Sequence, residues 1–141
     1  MTRVAAPLRF LVYGLVGSVV ESAFSSGIDS AGAGRIAVRG PSTPWMLVLY
    51  GLALPLFEPV HDAVRGRAAW ERGATYAAGI IAVEALSGVV WRRATGKVPW
   101  EYRSGLAIAG VTRLDYAPAW ALVGLAAEGL HDAMTAPSPR S

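Results

Sequence analysis

Four long apolar stretches constrain what this chain can fold into. Each is about 18 residues long, which as an α-helix spans about 27 Å, close to the roughly 30 Å thickness of a bilayer core. The loops between them are rich in glycine, serine and arginine, as connecting segments usually are. The predicted spans cover residues 10–28, 45–62, 73–91 and 116–134.

The composition of the chain agrees with a membrane location. Hydrophobic residues make up 53% of the sequence and charged residues only 16%, against about 25% charged in ordinary soluble domains. The absence of cysteine excludes a disulfide framework, a thiol nucleophile and a thiolate metal site. The net charge of +3 comes from arginines scattered over several loops, which argues against nucleic acid as a partner and favours the bilayer with its anionic lipid headgroups.

These features predict an all-α polytopic membrane protein with four transmembrane helices in one domain, residues 1–134. Residues 135–141, which contain two prolines, are predicted to form a disordered tail. Four spans place both termini on the same side of the membrane. We predict that this is the cytoplasmic side of a bacterial inner membrane, because the short loop 63–72 shares it and is densest in arginine.

Each apolar stretch contains one glutamate. An ionisable residue at the centre of a bilayer costs about 2.5 to 3.5 kcal/mol on insertion scales. Such residues persist where they face the interior of a helix bundle and pair with another group, so they indicate a functional site. The four residues are Glu21, Glu58, Glu84 and Glu128.

An internal repeat connects these glutamates with the two histidines of the chain. The motif Glu-x-x-His-Asp occurs at residues 58–62 and again at 128–132, 70 positions later. A tyrosine followed eight positions later by glutamate occurs at 13–21 and, 63 positions later, at 76–84. The sequence therefore predicts two tandem helical hairpins. Because each hairpin has two spans, the repeats are parallel, related by an axis near the membrane normal, and form a four-helix bundle.

Four glutamates and two histidines are the ligand inventory of di-iron and di-manganese carboxylate bundles. The predicted metal ligands are Glu21, Glu58, His61, Glu84, Glu128 and His131, which suggests an oxidoreductase. An alternative is a transporter or channel-like module, assembled as a homo-oligomer, whose buried glutamates bind protons, cations or a polar solute. A further alternative is a membrane scaffold in which the glutamates only hold helices together.

The long loop 92–115 is the second candidate region. Its aromatic residues suit a membrane–water interface. Alternatively, the segment folds over the mouth of the bundle as a lid, with arginines that contact a ligand or lipid headgroups. The candidate residues are Arg92, Arg93, Trp100, Tyr102, Arg113 and Tyr116.

The same loop carries a resemblance to a known family. Residues 9–131 resemble the transmembrane protein 229 family and the related ABC-transporter type IV (CmpB-like) membrane proteins. The shared features are the Tyr-Gly pairs at 13–14 and 50–51, the membrane glutamates, a final span containing Trp120, and a Pro-Trp-Asp-Tyr-Ser loop motif at 99–103, where this chain has Glu101 and Arg103. The resemblance implies a small polytopic membrane protein of unestablished biochemical role, in a group that carries a transporter label. The chain has no phosphate-binding loop, so it is not itself an ATPase.

Overall fold

The computed structural model describes residues 4–33, 44–98, 100–103 and 105–136, with only the backbone described for 24–33 and 44. The described chain is mostly helical, as predicted. The predicted first loop and tail fall largely on residues 34–43 and 137–141, outside the described residues. The helices are α1 (Ala6–Ala33), α2 (Pro44–Gly51), α3 (Ala53–Val64), α4 (Ala69–Thr95) and α5 (Ala117–Thr135).

The predicted second span forms two consecutive helices, α2 and α3. Helical bonding nevertheless continues through the junction, because the Leu52 amide donates to the Val48 carbonyl (3.1 Å) and the Leu56 amide donates to the Leu52 carbonyl (3.0 Å). Pro55 lacks the N–H that would bond to the Gly51 carbonyl. This missing hydrogen bond explains why the break falls at Leu52.

Capping residues fix both ends of α4. At its start, the Glu71 carboxylate accepts a hydrogen bond from the Ala68 amide at 3.0 Å, as in one half of a capping box. At its end, Gly96 has a φ of 76° and its amide donates to the Arg92 carbonyl, a left-handed cap that glycine tolerates. The helix is therefore longer than the predicted span 73–91.

The chain divides into two compact units, residues 1–59 with 133–141, and residues 60–132. In the first unit α1 packs against α2 so closely that a Cβ on Gly14 would lie 2.5 Å from the Leu47 carbonyl oxygen. In the second unit a Cβ on Gly73, in α4, would lie 3.4 Å from the Ala121 side chain of α5. Small residues allow this close approach of helices.

A short antiparallel hairpin precedes α5 in the second unit. Strands β1 (Ala107–Ile108) and β2 (Thr112–Arg113) pair with Ala107 opposite Arg113, and one turn of 3-10 helix follows at Leu114–Tyr116. A Cβ on Gly88 would lie 2.7 Å from Val111 Cβ, so the hairpin lies directly on α4. We refer to residues 100–103 and 105–116 as the hairpin segment.

Two helical regions among the described residues are long and apolar enough to cross a membrane. They are Trp45–Val64, with 20 residues and a mean hydropathy of 1.3, and Ala69–Thr95, with 27 residues and a mean hydropathy of 1.5. Both meet this description by length and composition, and they contain the predicted second and third spans.

Candidate functional site

The first unit contains a glutamate held by an arginine and a tyrosine. Arg9 Nε donates to Glu58 Oε1 and Arg9 Nη2 donates to Glu58 Oε2, both at 2.9 Å. The Tyr13 hydroxyl donates to the same Oε1 at 3.2 Å. Arg9 Nη1 donates to the Val4 carbonyl at 2.8 Å. We call Arg9, Tyr13 and Glu58 the first clamp; it joins α1 to α3.

The second unit contains the same arrangement between α4 and α5. Arg72 Nε donates to Glu128 Oε1 at 2.7 Å and Arg72 Nη2 donates to Glu128 Oε2 at 3.1 Å. The Tyr76 hydroxyl donates to Oε1 at 2.7 Å, and Arg72 Nη1 donates to the Arg67 carbonyl at 2.7 Å. We call Arg72, Tyr76 and Glu128 the second clamp.

The two clamps use the same atoms for the same bonds. Arg72 and Tyr76 lie 63 positions after Arg9 and Tyr13, and Glu128 lies 70 positions after Glu58. These are the offsets of the sequence repeat. The repeat in the sequence predicted the tyrosines and glutamates but not the arginines, although the offset of 63 relates them too.

Hydrogen bonds extend the second clamp to His61. The Arg65 Nη2 group lies 3.0 Å from His61 Nε2, and His61 Nδ1 lies 3.0 Å from the Tyr76 hydroxyl. A guanidinium only donates, so Nε2 accepts and the proton of the neutral ring is on Nδ1. Nδ1 then donates to the Tyr76 oxygen, and the Tyr76 hydroxyl donates to Glu128. In a neutral ring, these contacts favour the tautomer with the proton on Nδ1.

The two histidines lie together in the second unit. The ring centroids of His61 and His131 are 4.8 Å apart, and the two residues are only 3% and 4% exposed. Asp132 joins them: one potential ligand atom from each of the three residues lies within 4.8 Å of the others. Arg65 Nη2 also donates to Asp132 Oδ1 at 2.8 Å. We call His61, His131 and Asp132 the histidine cluster.

Glu84 has a different kind of environment. The Tyr102 hydroxyl donates to Oε1 and the Thr112 hydroxyl donates to Oε2, both at 2.6 Å. Thr112 is 1% exposed, so this end of the carboxylate is covered by the hairpin segment. Within the described part of the chain, no arginine, lysine or histidine pairs with Glu84.

The predicted lid residues mostly hold the hairpin segment together. Trp100 Nε1 donates to the Val111 carbonyl at 3.0 Å, and Arg92 Nη2 donates to the Ala109 carbonyl at 2.8 Å. The Arg113 guanidinium lies 4.2 Å from the centre of the Tyr116 ring, in the geometry of a cation–π contact. Arg93 is exposed.

Arg113 also pairs with Asp115. Its guanidinium donates to both carboxylate oxygens of Asp115 and thereby holds the pKa of that carboxyl below its usual range. Arg113 is therefore bound within the hairpin segment, by Asp115 and by the Tyr116 ring.

The predicted six-ligand metal set is distributed over different environments. Glu128 lies beside His61, with 3.6 Å between Oε1 and Nδ1, whereas Glu84 binds the hairpin segment. Glu58 accepts hydrogen bonds from Nε and Nη2 of Arg9 in the first unit, and Glu21 lies half-buried on α1 of that unit. The di-iron or di-manganese centre therefore stays a prediction. The residue that the prediction omitted is Asp132, which belongs to the histidine cluster.

Comparison with known proteins adds no relative. No family profile, no curated protein and no solved structure matches this chain. The resemblance to the transmembrane protein 229 family stays a prediction based on the motifs.

Proposed function

We propose that this chain is a small integral membrane protein that binds a proton or a cation at Glu84, as part of a transporter or channel-like module. The observation that carries the proposal is the carboxylate of Glu84, which has two hydroxyl donors and no cationic partner among the described residues. The transporter label of the group that the sequence resembles is consistent with this proposal.

The distribution of apolar side chains supports a location in the membrane. Large apolar residues are exposed on several helices, among them Val19 at 68%, Leu86 at 72% and Leu122 at 69%. A soluble domain rarely leaves so much apolar surface in water, whereas lipid tails cover it without cost. We therefore assign α1, the pair α2–α3, α4 and α5 as the four spans.

The clamps support the proposal that the spans arose as two tandem hairpins. The same five hydrogen-bonding atoms of Arg, Tyr and Glu recur in each clamp at the offsets of the sequence repeat. Each clamp joins the first helix of one proposed hairpin to the second. Parallel repeats of this kind occur in several transporter folds.

The clamps also separate the structural glutamates from the proposed functional one. The charge of Glu58 is balanced by Arg9, and that of Glu128 by Arg72. These two residues therefore hold neighbouring helices together, as in the scaffold hypothesis. Glu84 lacks such a partner, and an isolated carboxylate within a bilayer is costly until a proton or a cation neutralises it.

Dicyclohexylcarbodiimide tests the state of Glu84 directly. A protonated carboxyl transfers its proton to a carbodiimide nitrogen, the carboxylate oxygen adds to the central carbon, and rearrangement leaves a stable N-acylurea with no atom lost. We expect peptide mass spectrometry of the full-length protein in detergent to find this adduct at Glu84 and not at Glu58 or Glu128, whose carboxylates accept paired hydrogen bonds from Arg9 and Arg72. An unlabelled Glu84, or equal labelling of Glu128, would contradict the proposal.

Flux measurements test the transport step. Liposomes that contain the wild-type protein should dissipate a proton or monovalent-cation gradient faster than empty liposomes. Glu84→Gln should abolish the difference, whereas Glu101→Gln, which removes an exposed carboxylate paired with Arg103, should leave it unchanged. Wild-type liposomes that behave like empty ones, or a Glu84→Gln variant as active as wild type, would overturn the proposal.

A further inference from the structure

We propose that the histidine cluster binds one divalent transition-metal ion and that the Arg65 guanidinium competes with this ion for the same ligand atoms. The ligands are His61, near the end of α3, with His131 and Asp132, near the end of α5. All three belong to the second unit. The site is separate from Glu84 and from the proposed transport step, so either proposal can fail alone.

The donor set suits a borderline metal ion. Two imidazole nitrogens and one carboxylate oxygen are the ligands of many zinc and non-haem iron sites, which keep further positions for water. With metal–ligand distances near 2.1 Å, neighbouring ligands of a tetrahedral ion lie about 3.4 Å apart. The ligand atoms of the cluster lie within 4.8 Å of one another, so a small side-chain movement brings them to coordination distance.

The two histidines are positioned in advance. Both are nearly buried, which restricts their rotamers. His61 Nδ1 is hydrogen-bonded to the Tyr76 hydroxyl, and this hydroxyl in turn donates to Glu128. This leaves Nε2 of His61 on the side of Asp132, with 3.6 Å between Nε2 and Oδ1. Hydrogen bonding at the second ring nitrogen is how proteins commonly orient a metal-binding histidine.

Arg65 occupies the position that the metal ion would take. Its Nη2 group contacts both His61 Nε2 and Asp132 Oδ1, at 3.0 and 2.8 Å, so the same two acceptor atoms serve either the guanidinium or the ion. The Arg65 side chain is 56% exposed and that of Asp132 is 58% exposed. Both can therefore rotate into solvent, whereas the histidines stay in place. Metal binding must displace one guanidinium, which lowers the affinity of the wild-type site.

Cobalt and zinc titrations of the full-length protein in detergent test the proposal. Co²⁺ should bind to one site per chain, give the visible absorption of a protein-coordinated ion, and be displaced by Zn²⁺. His131→Gln and Asp132→Asn should each weaken binding by about tenfold or more. Asp132 is exposed, so Asp132→Asn keeps the test valid if the histidine variant fails to fold. Arg65→Gln should bind more tightly than wild type.

Two controls make the outcome decisive. Glu101→Gln removes a carboxylate outside the cluster and should leave the affinity unchanged. Glu84→Gln should also bind cobalt normally, which separates this site from the proposed proton or cation site. Absence of cobalt binding by the wild-type protein would overturn the proposal, as would an Asp132→Asn variant that binds cobalt as tightly as wild type.

Discussion

The bond pattern of the clamps explains why their cation is arginine. A guanidinium presents parallel N–H groups that match the two oxygens of a carboxylate, and it has further donors for a backbone carbonyl. Arg72 uses Nε and Nη2 on Glu128 and Nη1 on the Arg67 carbonyl. A lysine ammonium at this position is a single point donor and cannot reproduce that arrangement.

We expect Glu128→Gln to lower the free energy of unfolding by about 1–3 kcal/mol, because the partly buried Arg72 guanidinium loses its charged acceptor. Thermal unfolding followed by circular dichroism in detergent measures the change. The matched control is Glu101→Gln, whose partner Arg103 is 84% exposed. Removing this exposed ion pair should leave the free energy of unfolding nearly unchanged. Equal destabilisation by the two variants would contradict a structural role for the clamp.

The candidate residues that could be predicted from the sequence lie inside apolar stretches, whereas the clamp arginines lie outside them. Glu58, Glu128 and the two histidines stand out because ionisable groups are rare within apolar stretches. Arg9 and Arg72 lie just outside the predicted spans, where arginine is expected at a membrane surface. Their pairing with glutamates on another helix depends on tertiary structure, which no single apolar stretch reveals.

Hydropathy predicted the helical elements better than their ends. The apolar stretches all become helix, but α1 and α4 extend beyond the predicted spans, because polar residues such as Glu71 continue a helix or cap it. The short strands of the hairpin segment were not predicted. Each has only two residues, too few for an alternating pattern, and the segment is stabilised by contacts with α4.

Two glycines of α4 provide a matched test of the hairpin contact. Gly88→Ala should destabilise the protein, since the new Cβ would lie 2.7 Å from Val111 Cβ. Gly79→Ala meets no atom within 4 Å, so it should be neutral or stabilise the helix by up to about 1 kcal/mol. Hydrogen exchange of residues 105–113, measured by mass spectrometry, should increase only in Gly88→Ala. Unchanged exchange in that variant would contradict the packing described for the hairpin segment.

At the scale of the whole molecule, few of the apolar residues whose side chains the structure describes are buried. The buried apolar residues include Tyr13, Tyr76 and Val111, whereas many leucines and valines are exposed. A membrane supplies the apolar surroundings that such a molecule lacks in water. Composition alone led to the prediction of a membrane location, because composition needs no knowledge of which helices touch.

Single cysteines test the proposed membrane topology, since the chain has none of its own. We expect a membrane-impermeant maleimide to label Gly66→Cys from the cytoplasmic side and Arg103→Cys from the opposite side, because α4 separates the two positions. Gly66 has no atom within 4 Å of an added Cβ, and Arg103 is exposed, so neither change disturbs packing. Labelling of both positions from the same side would exclude α4 as a transmembrane span.

The Nη1 group of each clamp arginine limits which insertions and deletions the chain can tolerate near the start of α1 and of α4. Arg9 binds the Val4 carbonyl and Arg72 binds the Arg67 carbonyl, and both carbonyls precede the first residue of their helix by two positions. Each arginine therefore bonds both to the backbone just before its own helix and to a glutamate on the neighbouring helix. An inserted residue between Arg67 and Arg72 would turn the guanidinium by about 100° around α4 if the helix start stayed in place. These two five-residue intervals should accept substitutions far more readily than insertions or deletions.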